Sequence, residues 1–179
     1  MKRFVGPAIA LFITALVSHF AIVYSAPGLI MDRAMTMIAE RGVDYSNGGS
    51  RLHSFNLAPR MTPETQSVVR PSPDLAYSAC VFDLDELDGD LRVKMAGYDG
   101  YSSLSFFDAN TNNFTTIRGD GSDVEVLLSA NGSSTSGPNA IAAPSSKGVI
   151  LIRRLAPTQA EYDRVAQIAE GDLCGSSGA

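Results

Sequence analysis

Tryptophan is absent from this chain of 179 residues, and histidine and cysteine each occur only twice. This scarcity limits metal sites, because transition metals are held mainly by imidazole and thiolate ligands. No Gly-x-Ser-x-Gly, Cys-x-x-Cys or His-x-x-x-His spacing occurs, so motifs for a serine nucleophile, a thiol redox pair and a helical zinc site are all missing. No glycine-rich loop joins a strand to a helix, which leaves a nucleotide site unsupported.

Positive charge is also scarce, with 14 Lys and Arg against 19 Asp and Glu. The first 25 residues contain Lys2 and Arg3 and no acidic residue, so without them the formal net charge of -5 becomes -7. Nucleic acids and anionic lipid headgroups select basic surfaces. The sequence therefore predicts no nucleic-acid partner, and it predicts no metal or other cofactor.

One long apolar run is present, and no charged side chain interrupts it from Phe4 to Tyr24. About 20 residues at 1.5 Å each cover a hydrocarbon core of roughly 30 Å. Because Lys2 and Arg3 precede the run, the positive-inside rule places the N-terminus in the cytoplasm. We predict a single-pass anchor over residues 1–26 that contacts the lipid bilayer of an inner membrane and holds the following domain in the periplasm.

The alternative interpretation of this run is a cleaved signal peptide, for which Val23-Tyr24-Ser25 offers a loose cleavage site. The run exceeds the 7–15 apolar residues usual for a signal peptide, and no Ala-x-Ala site follows it. Both interpretations export the domain.

Small residues recur at every fourth position of the apolar run and would let a second helix approach closely. They predict helix–helix contact, with another membrane protein or a second copy, through Gly6, Ala10, Thr14 and Ser18. His19 lies beside them near the outer end of the run, where water can reach it.

The two cysteines, Cys80 and Cys174, both lie in the exported part. An even number of cysteines in an oxidising compartment predicts a disulfide. A bond between them would close a loop of about 94 residues and stabilise the folded domain by ~4 kcal/mol through loop entropy. The alternative is two unpaired thiols, one in an apolar strand and one in a Gly/Ser-rich tail.

Residues 27–66 are predicted to link the anchor to the domain. Pro27-Gly28 is expected to interrupt the helix, and Gly42 to end a second, amphipathic helix over residues 29–41. One face of that helix is apolar, favouring packing against the domain, and comprises Ile30, Met31, Ala34, Met35 and Ile38.

Residues 67–179 are predicted to form a β-rich domain. Alternating or continuous apolar residues predict strands over 75–84, 91–95, 101–108, 114–118, 123–128 and 149–152, the last of them central. Residues 129–139 read as a loop. Thr158 and Glu161 form a capping box that begins a helix with Tyr162, Val165, Ala166 and Ala169 on its buried side. The fold class is therefore mainly β with added helices (α+β), an antiparallel β-sandwich or open barrel with a covering C-terminal helix.

Polar and aromatic side chains concentrate in residues 70–78 and 101–114, at predicted strand ends where loops carry sites. The ligand-binding candidates are Arg70, Asp74, Tyr77, Tyr101, Asp108 and Asn110.

Asp108, Asn110 and Asn112 alternate like the first ligands of a Ca²⁺ loop, but Asn113 and Gly119 occupy the positions of its glycine and its final acid. A turn cap is favoured instead, with Arg70 paired to an aspartate, Asp74 or Asp108.

Three segments resemble a known family: VVRPSPDLAYSACVFDL, YSSLSFFDANTNNF and SSKGVILIRRL. They look like the family of domain of unknown function 1254 over roughly residues 67–170. The resemblance implies a β-sandwich-like fold and no established activity. Longer relatives carry a further domain, number 1214, so this chain resembles a short, membrane-anchored form without it.

Two functional hypotheses follow. The first is a non-catalytic binding or envelope-assembly module anchored in the membrane. The second is an enzyme acting on a small envelope or carbohydrate-like ligand through an Asp/Tyr/Arg cluster. The second requires Asp74, Tyr77 and Asp108 to converge in one pocket.

Overall fold

The computed structural model describes residues 4–41, 52–62, 71–130 and 139–176. Two α-helices and nine strands occur in these ranges. In chain order they are α1 (Val5–Arg41), β1 (Asn56–Leu57), β2 (Leu75–Asp83), β3 (Leu91–Met95), β4 (Ser102–Asp108), β5 (Asn113–Arg118), β6 (Val124–Ala130), β7 (Ala140–Ala143), β8 (Lys147–Leu155), α2 (Gln159–Ala169) and β9 (Leu173–Ser176).

The strands form two sheets, one in the order β1-β2-β8-β4-β5 and the other in the order β7-β6-β3-β9. Neither is a closed barrel, so the predicted α+β class with sandwich-like sheets is confirmed. The expectation of uniformly antiparallel strands is wrong at one place, because β7 runs parallel to β6. The predicted central position of the 149–152 strand is confirmed, since β8 pairs with β2 on one side and β4 on the other.

Alternate residues of the paired strands fill the space between the sheets. Leu91, Val93 and Met95 of β3 are fully buried, as the period-two pattern predicts. On the facing sheet, Leu104 of β4 and Ile152 of β8 are register partners and belong to the same core. Opposite apolar faces thus meet to form one hydrophobic core.

The predicted disulfide is confirmed and joins the two sheets. Cys80 of β2 and Cys174 of β9 are bonded, with their Cα atoms 6.6 Å apart. Both lie in the core, where the β9 strand pairs with β3. The Gly/Ser-rich tail is therefore an edge strand at the cysteine rather than a loose end.

Helix α1 runs unbroken through Pro27, so the predicted interruption at Pro27-Gly28 is wrong. Proline removes one helical hydrogen bond and usually kinks or ends a helix. Here the following turns are held by packing against the five-stranded sheet, where buried Met31 meets Val81 and Val149. Tertiary contact outweighs the local preference of proline.

Four of the five residues on the predicted apolar face pack against the domain, namely Met31, Ala34, Met35 and Ile38. The fifth, Ile30, is 62% exposed and lies on another side of the helix. The earlier part of α1 exposes large apolar side chains, among them Phe12, Ile13 and Val17. The division into an anchor to residue 26, a linker to 66 and a domain beyond stays a prediction.

The C-terminal helix begins with the predicted capping box. Thr158 accepts a hydrogen bond from the backbone N–H of Glu161, whose side chain accepts one from the backbone N–H of Thr158. Val165 of α2 is buried against Ala76 and Ala156. The helix thereby covers the sandwich where β2 begins and β8 ends.

Candidate functional site

The predicted ligand-binding residues fall into two groups at opposite ends of the five-stranded sheet; Arg70 lies outside the described residues. Tyr77 pairs with Arg153 of β8, whereas Asp108 pairs with Gly148 of the same strand. These two partners lie five positions apart, which corresponds to about 17 Å along a strand. Asp74, Tyr77 and Asp108 therefore do not converge as the enzyme hypothesis requires, and Asn110 lies at the Asp108 end.

Asp108 is a turn cap, as the sequence predicts. Its Oδ1 accepts hydrogen bonds from the backbone N–H groups of Asn110 and Asn112, each at 2.8 Å, and its Oδ2 accepts one from Asn112 Nδ2 at 2.9 Å. Burial acts to raise the pKa of Asp108, but these hydrogen bonds outweigh it and hold the pKa below its ordinary value. Among the described residues, no group of three or more His, Cys, Asp or Glu could hold a metal ion.

We expect Asp108→Asn to lower the free energy of unfolding near neutral pH, because the amide lacks the charge that strengthens these three hydrogen bonds. The folded-state pKa is depressed below the unfolded value of about 3.9. The contribution is thus fully present above the unfolded pKa and is lost as the pH falls through the folded one. Urea unfolding of the full chain in detergent, followed by circular dichroism from pH 7 into acid, measures the difference.

The matched control is Asp163→Asn on α2, whose carboxylate accepts a bond from the exposed Gln159 side chain. We expect little change in stability there. A deficit of the Asp108 variant that stays constant into acid would contradict the assignment.

The other end of the sheet carries a row of polar side chains, in which Ser103 is buried and the two arginines are accessible donors. Register places Tyr77, Arg153, Ser103 and Arg118 side by side across β2, β8, β4 and β5. They point away from the core, because the next residue along β4, Leu104, points into it. We call these four residues the outer row.

Tyr101 borders the outer row. The Arg118 guanidinium lies 5.3 Å from the centre of the Tyr101 ring, a cation–π contact. The Tyr101 hydroxyl donates to Ser103 Oγ at 3.4 Å. At the β2 end of the outer row, the Tyr77 hydroxyl accepts a hydrogen bond from the backbone N–H of Ser72 at 2.9 Å. Of the predicted candidates, Tyr77 and Tyr101 thus lie at the same end of the sheet, on β2 and next to β4, two strands that β8 separates.

The outer row suits an anion better than it suits catalysis. Within the described ranges, neither Arg118 nor Arg153 has a carboxylate partner. Guanidinium donors match carboxylate or phosphate oxygens. The row itself contains no carboxylate or imidazole that could act as a general base. Sequence reasoning missed both arginines, because their alignment with Ser103 depends on strand register.

A second arginine of β8 points inward and is structural. Arg154 donates to both carboxylate oxygens of Asp172, at 2.6 and 2.8 Å, and to the carbonyl of Ala96 at 2.9 Å. Asp172 Oδ1 in turn accepts the N–H of Ala96 at 2.9 Å. The side chains are 1% and 0% exposed, so this network ties β8 to the chain before β4 and before β9. It offers no opening to a ligand.

Two cavities lie elsewhere. One of about 450 Å³ lies between β5 and β7, an edge that no other described strand covers, and is lined by Phe114, Thr115, Ala140, Ile141, Ala142, Ala143 and Pro144. We call it the β5–β7 cavity. The other, of about 350 Å³, lies where the end of α1 meets the sheet, and Met35, Glu40, Asp83 and Lys147 are among its lining residues. Neither is lined by a predicted ligand-binding residue.

One of two similar solved structures supports the fold, and it supports the fold alone. The crystal structure of the VPA0106 protein from Vibrio parahaemolyticus superposes with a TM-score of 0.58 at 13% identity, covering 84% of this chain and 36% of that one. A putative uncharacterized protein from Burkholderia cenocepacia gives a TM-score of 0.44 at 18% identity, covering 72% and 36% of the two chains. This chain thus spans about a third of the length of either protein.

No curated protein matches the chain in sequence. The family described as "Protein of unknown function (DUF1254)" matches residues 53–174, which is more than half of the chain and includes both sheets from the start of β1 to Cys174. The predicted resemblance is confirmed, and the chain belongs to the DUF1254 family.

Proposed function

We propose that this protein is an exported, membrane-anchored binding module without catalytic activity, held by α1 at the periplasmic face of an inner membrane. The observation that carries the proposal is that one continuous helix has an exposed apolar part and a part that packs on the domain. Its first part is apolar and exposed, and its later turns pack on the domain through Met31 and Met35.

The exposed part of α1 matches a bilayer in length and composition. It contains an 18-residue window of mean hydropathy 2.0 that the domain does not cover. Large contiguous apolar surfaces are rare on soluble proteins and mark contact with a partner or a membrane. The Cys80–Cys174 disulfide supports an oxidising compartment for the domain.

Two surfaces are available for binding. Gly6, Ala10, Thr14 and Ser18 are all exposed along α1, and the stripe suits a second helix in the bilayer. The outer row suits a small anionic ligand of the envelope through Arg118 and Arg153. The separation of Asp108 from Asp74 and Tyr77 removes the specific support for the enzyme hypothesis.

Fractionation of cells that produce the full chain tests the anchor. We expect the protein to remain in the membrane after alkaline carbonate extraction and to retain Met1 or Lys2 at its N-terminus. Protease added to spheroplasts should degrade the domain, and a non-reducing gel should show the disulfide. Release by carbonate together with an N-terminus near residue 26 would contradict the proposal and establish the signal-peptide alternative.

A further inference from the structure

We propose that the β5–β7 cavity faces the bilayer and accommodates an acyl chain of a membrane lipid. The inference rests on the proposed anchoring of α1 and adds the class of ligand. Three observations carry it: the path of α1 across the sheet, the position of the disulfide and the composition of the cavity lining.

The path of α1 fixes which side of the sandwich is nearest the membrane. A Cβ atom on Gly28 would lie 3.7 Å from Asn110 Oδ1 in the turn between β4 and β5. Further along, Met31 is buried beside Val149 of β8, and Glu40 lines a cavity together with Asp83 at the end of β2. Because β8 lies between β2 and β4 in the sheet, α1 crosses it from the β5 side toward the β2 side.

The apolar run ends close to this entry point. Tyr24 and Gly28 lie four positions apart, which is about 6 Å along a helix. Since α1 is unbroken between them, the turn between β4 and β5 lies within about one helical turn of the end of the apolar run. The β5 side of the domain is therefore the membrane-proximal side.

The β5–β7 cavity opens on that same side. Strand β5 is the last strand of its sheet, and β7 is the last strand of the other. On the opposite side, the Cys80–Cys174 bond joins β2 to β9. In the described part of the chain, the sandwich is thus closed covalently on the side away from the membrane and left open on the membrane-proximal side.

The side chains that line the cavity are mostly apolar, and the backbone of the two edge strands supplies the rest of the lining. Of its seven residues, six are Phe, Ala, Ile or Pro, and none is charged. The seventh, Thr115, already donates its hydroxyl to the carbonyl of Phe114 at 2.8 Å. Phe114 and Ile141 also pack against the hydrophobic core. An apolar occupant would contact these side chains and extend the core, while its outer surface would lie along the backbone of the two edge strands.

An acyl chain fits this opening better than a β-strand of a partner. A strand added to β5 or β7 would continue one sheet sideways through backbone hydrogen bonds, and would leave the space between the sheets empty. An acyl chain needs no hydrogen bonds, and the adjacent bilayer supplies it. The volume of about 450 Å³ exceeds that of ten water molecules at about 30 Å³ each, so it holds a substantial part of such a chain.

Photolabelling in a bilayer tests this assignment. The full chain is reconstituted into phosphatidylcholine vesicles that contain a phosphatidylcholine with a diazirine at the end of one acyl chain, and labelled peptides are identified by mass spectrometry. We expect label in the apolar run of α1 and, separately, in peptides containing Phe114 or Ile141. Thr115→Trp, which fills the cavity, should reduce the second label at least fivefold and leave the first unchanged.

The matched control is Leu173→Trp on β9, an exposed position on the opposite edge, and it should change neither label. Ala140→Leu is a milder filling variant, and the Cys80–Cys174 bond on a non-reducing gel reports that each variant has folded. Label in α1 without label near Phe114 or Ile141 would overturn the acyl-chain site and leave the anchor intact.

The remaining outcomes also decide the question. Absence of label from α1 would overturn the proposed anchoring itself. An undiminished label in both filling variants would overturn the site, as would cross-links between two copies through β5, which would assign the opening to a second copy of this chain.

Discussion

Asp172→Asn is expected to lower the free energy of unfolding by about 3–5 kcal/mol, the cost typical of removing one partner from a buried ion pair. Arg154 would remain charged at 1% exposure with no counter-charge. Its guanidinium bonds to both carboxylate oxygens, and one of those oxygens also holds the backbone N–H of Ala96. The substitution therefore weakens three connections at once. Urea unfolding of the full chain in detergent, followed by circular dichroism, measures the loss.

The control uses a pair of similar geometry at the surface. Arg92 donates to both carboxylate oxygens of Glu125, at 2.8 and 3.1 Å, with the two side chains 46% and 44% exposed. Glu125→Gln should have a far smaller effect, because water and salt screen exposed charges. Equal losses in the two variants would show that burial of Arg154 and Asp172 does not determine their contribution.

A double replacement separates the pair from its surroundings. Arg154→Met combined with Asp172→Leu removes both charges, and such replacements of buried pairs are often neutral or stabilising. Recovery here should be partial, because the N–H of Ala96 loses its acceptor. A double variant as unstable as the single one would mean that the loss comes from packing or from the Ala96 bond rather than from the unpaired charge.

Local patterns predicted the parts of the fold that local chemistry determines. Period two in Leu91, Val93 and Met95 identified β3 because alternate side chains must face the core. The pair Thr158 and Glu161 identified the start of α2 because each side chain accepts a hydrogen bond from the backbone N–H of the other residue. The turn at Asp108 was predictable for the same reason, since its carboxylate accepts hydrogen bonds from residues two and four positions later.

What the sequence did not reveal depends on contacts between distant segments. The Gly/Ser-rich tail becomes β9 only because β3 and the disulfide hold it, and Pro27 stays helical only because Met31 packs on the sheet. Arg154 follows Ile150 and Ile152 at inward-facing positions, a period-two signal that could have marked it as buried. Its partner, Asp172, lies beyond α2 and carries no such signal. The outer row likewise exists only once register aligns Arg153 with Ser103.

Replacing both cysteines by alanine is expected to destabilise the domain by about 2–5 kcal/mol, because the bond closes a long loop in the unfolded chain. The sequence separation of Cys80 and Cys174 is 94. The bond also retains β9, an edge strand that pairs only with β3 among the described strands. Urea unfolding of the oxidised chain and of Cys80→Ala/Cys174→Ala gives the difference.

Reduction of the unaltered chain isolates the bond from the loss of the two sulfur atoms in the core. If loop entropy dominates, the reduced chain and the double variant should lose similar stability, and hydrogen exchange should accelerate first at β9 and at its partner Val93.

Because the bond lies on the side opposite the β5–β7 cavity, acyl-chain labelling near Phe114 and Ile141 should persist in the double variant under conditions where it remains folded. Loss of that label together with retained β9 protection would mean that the covalent closure of one side controls the opening of the other, and would contradict the independence of the two sides.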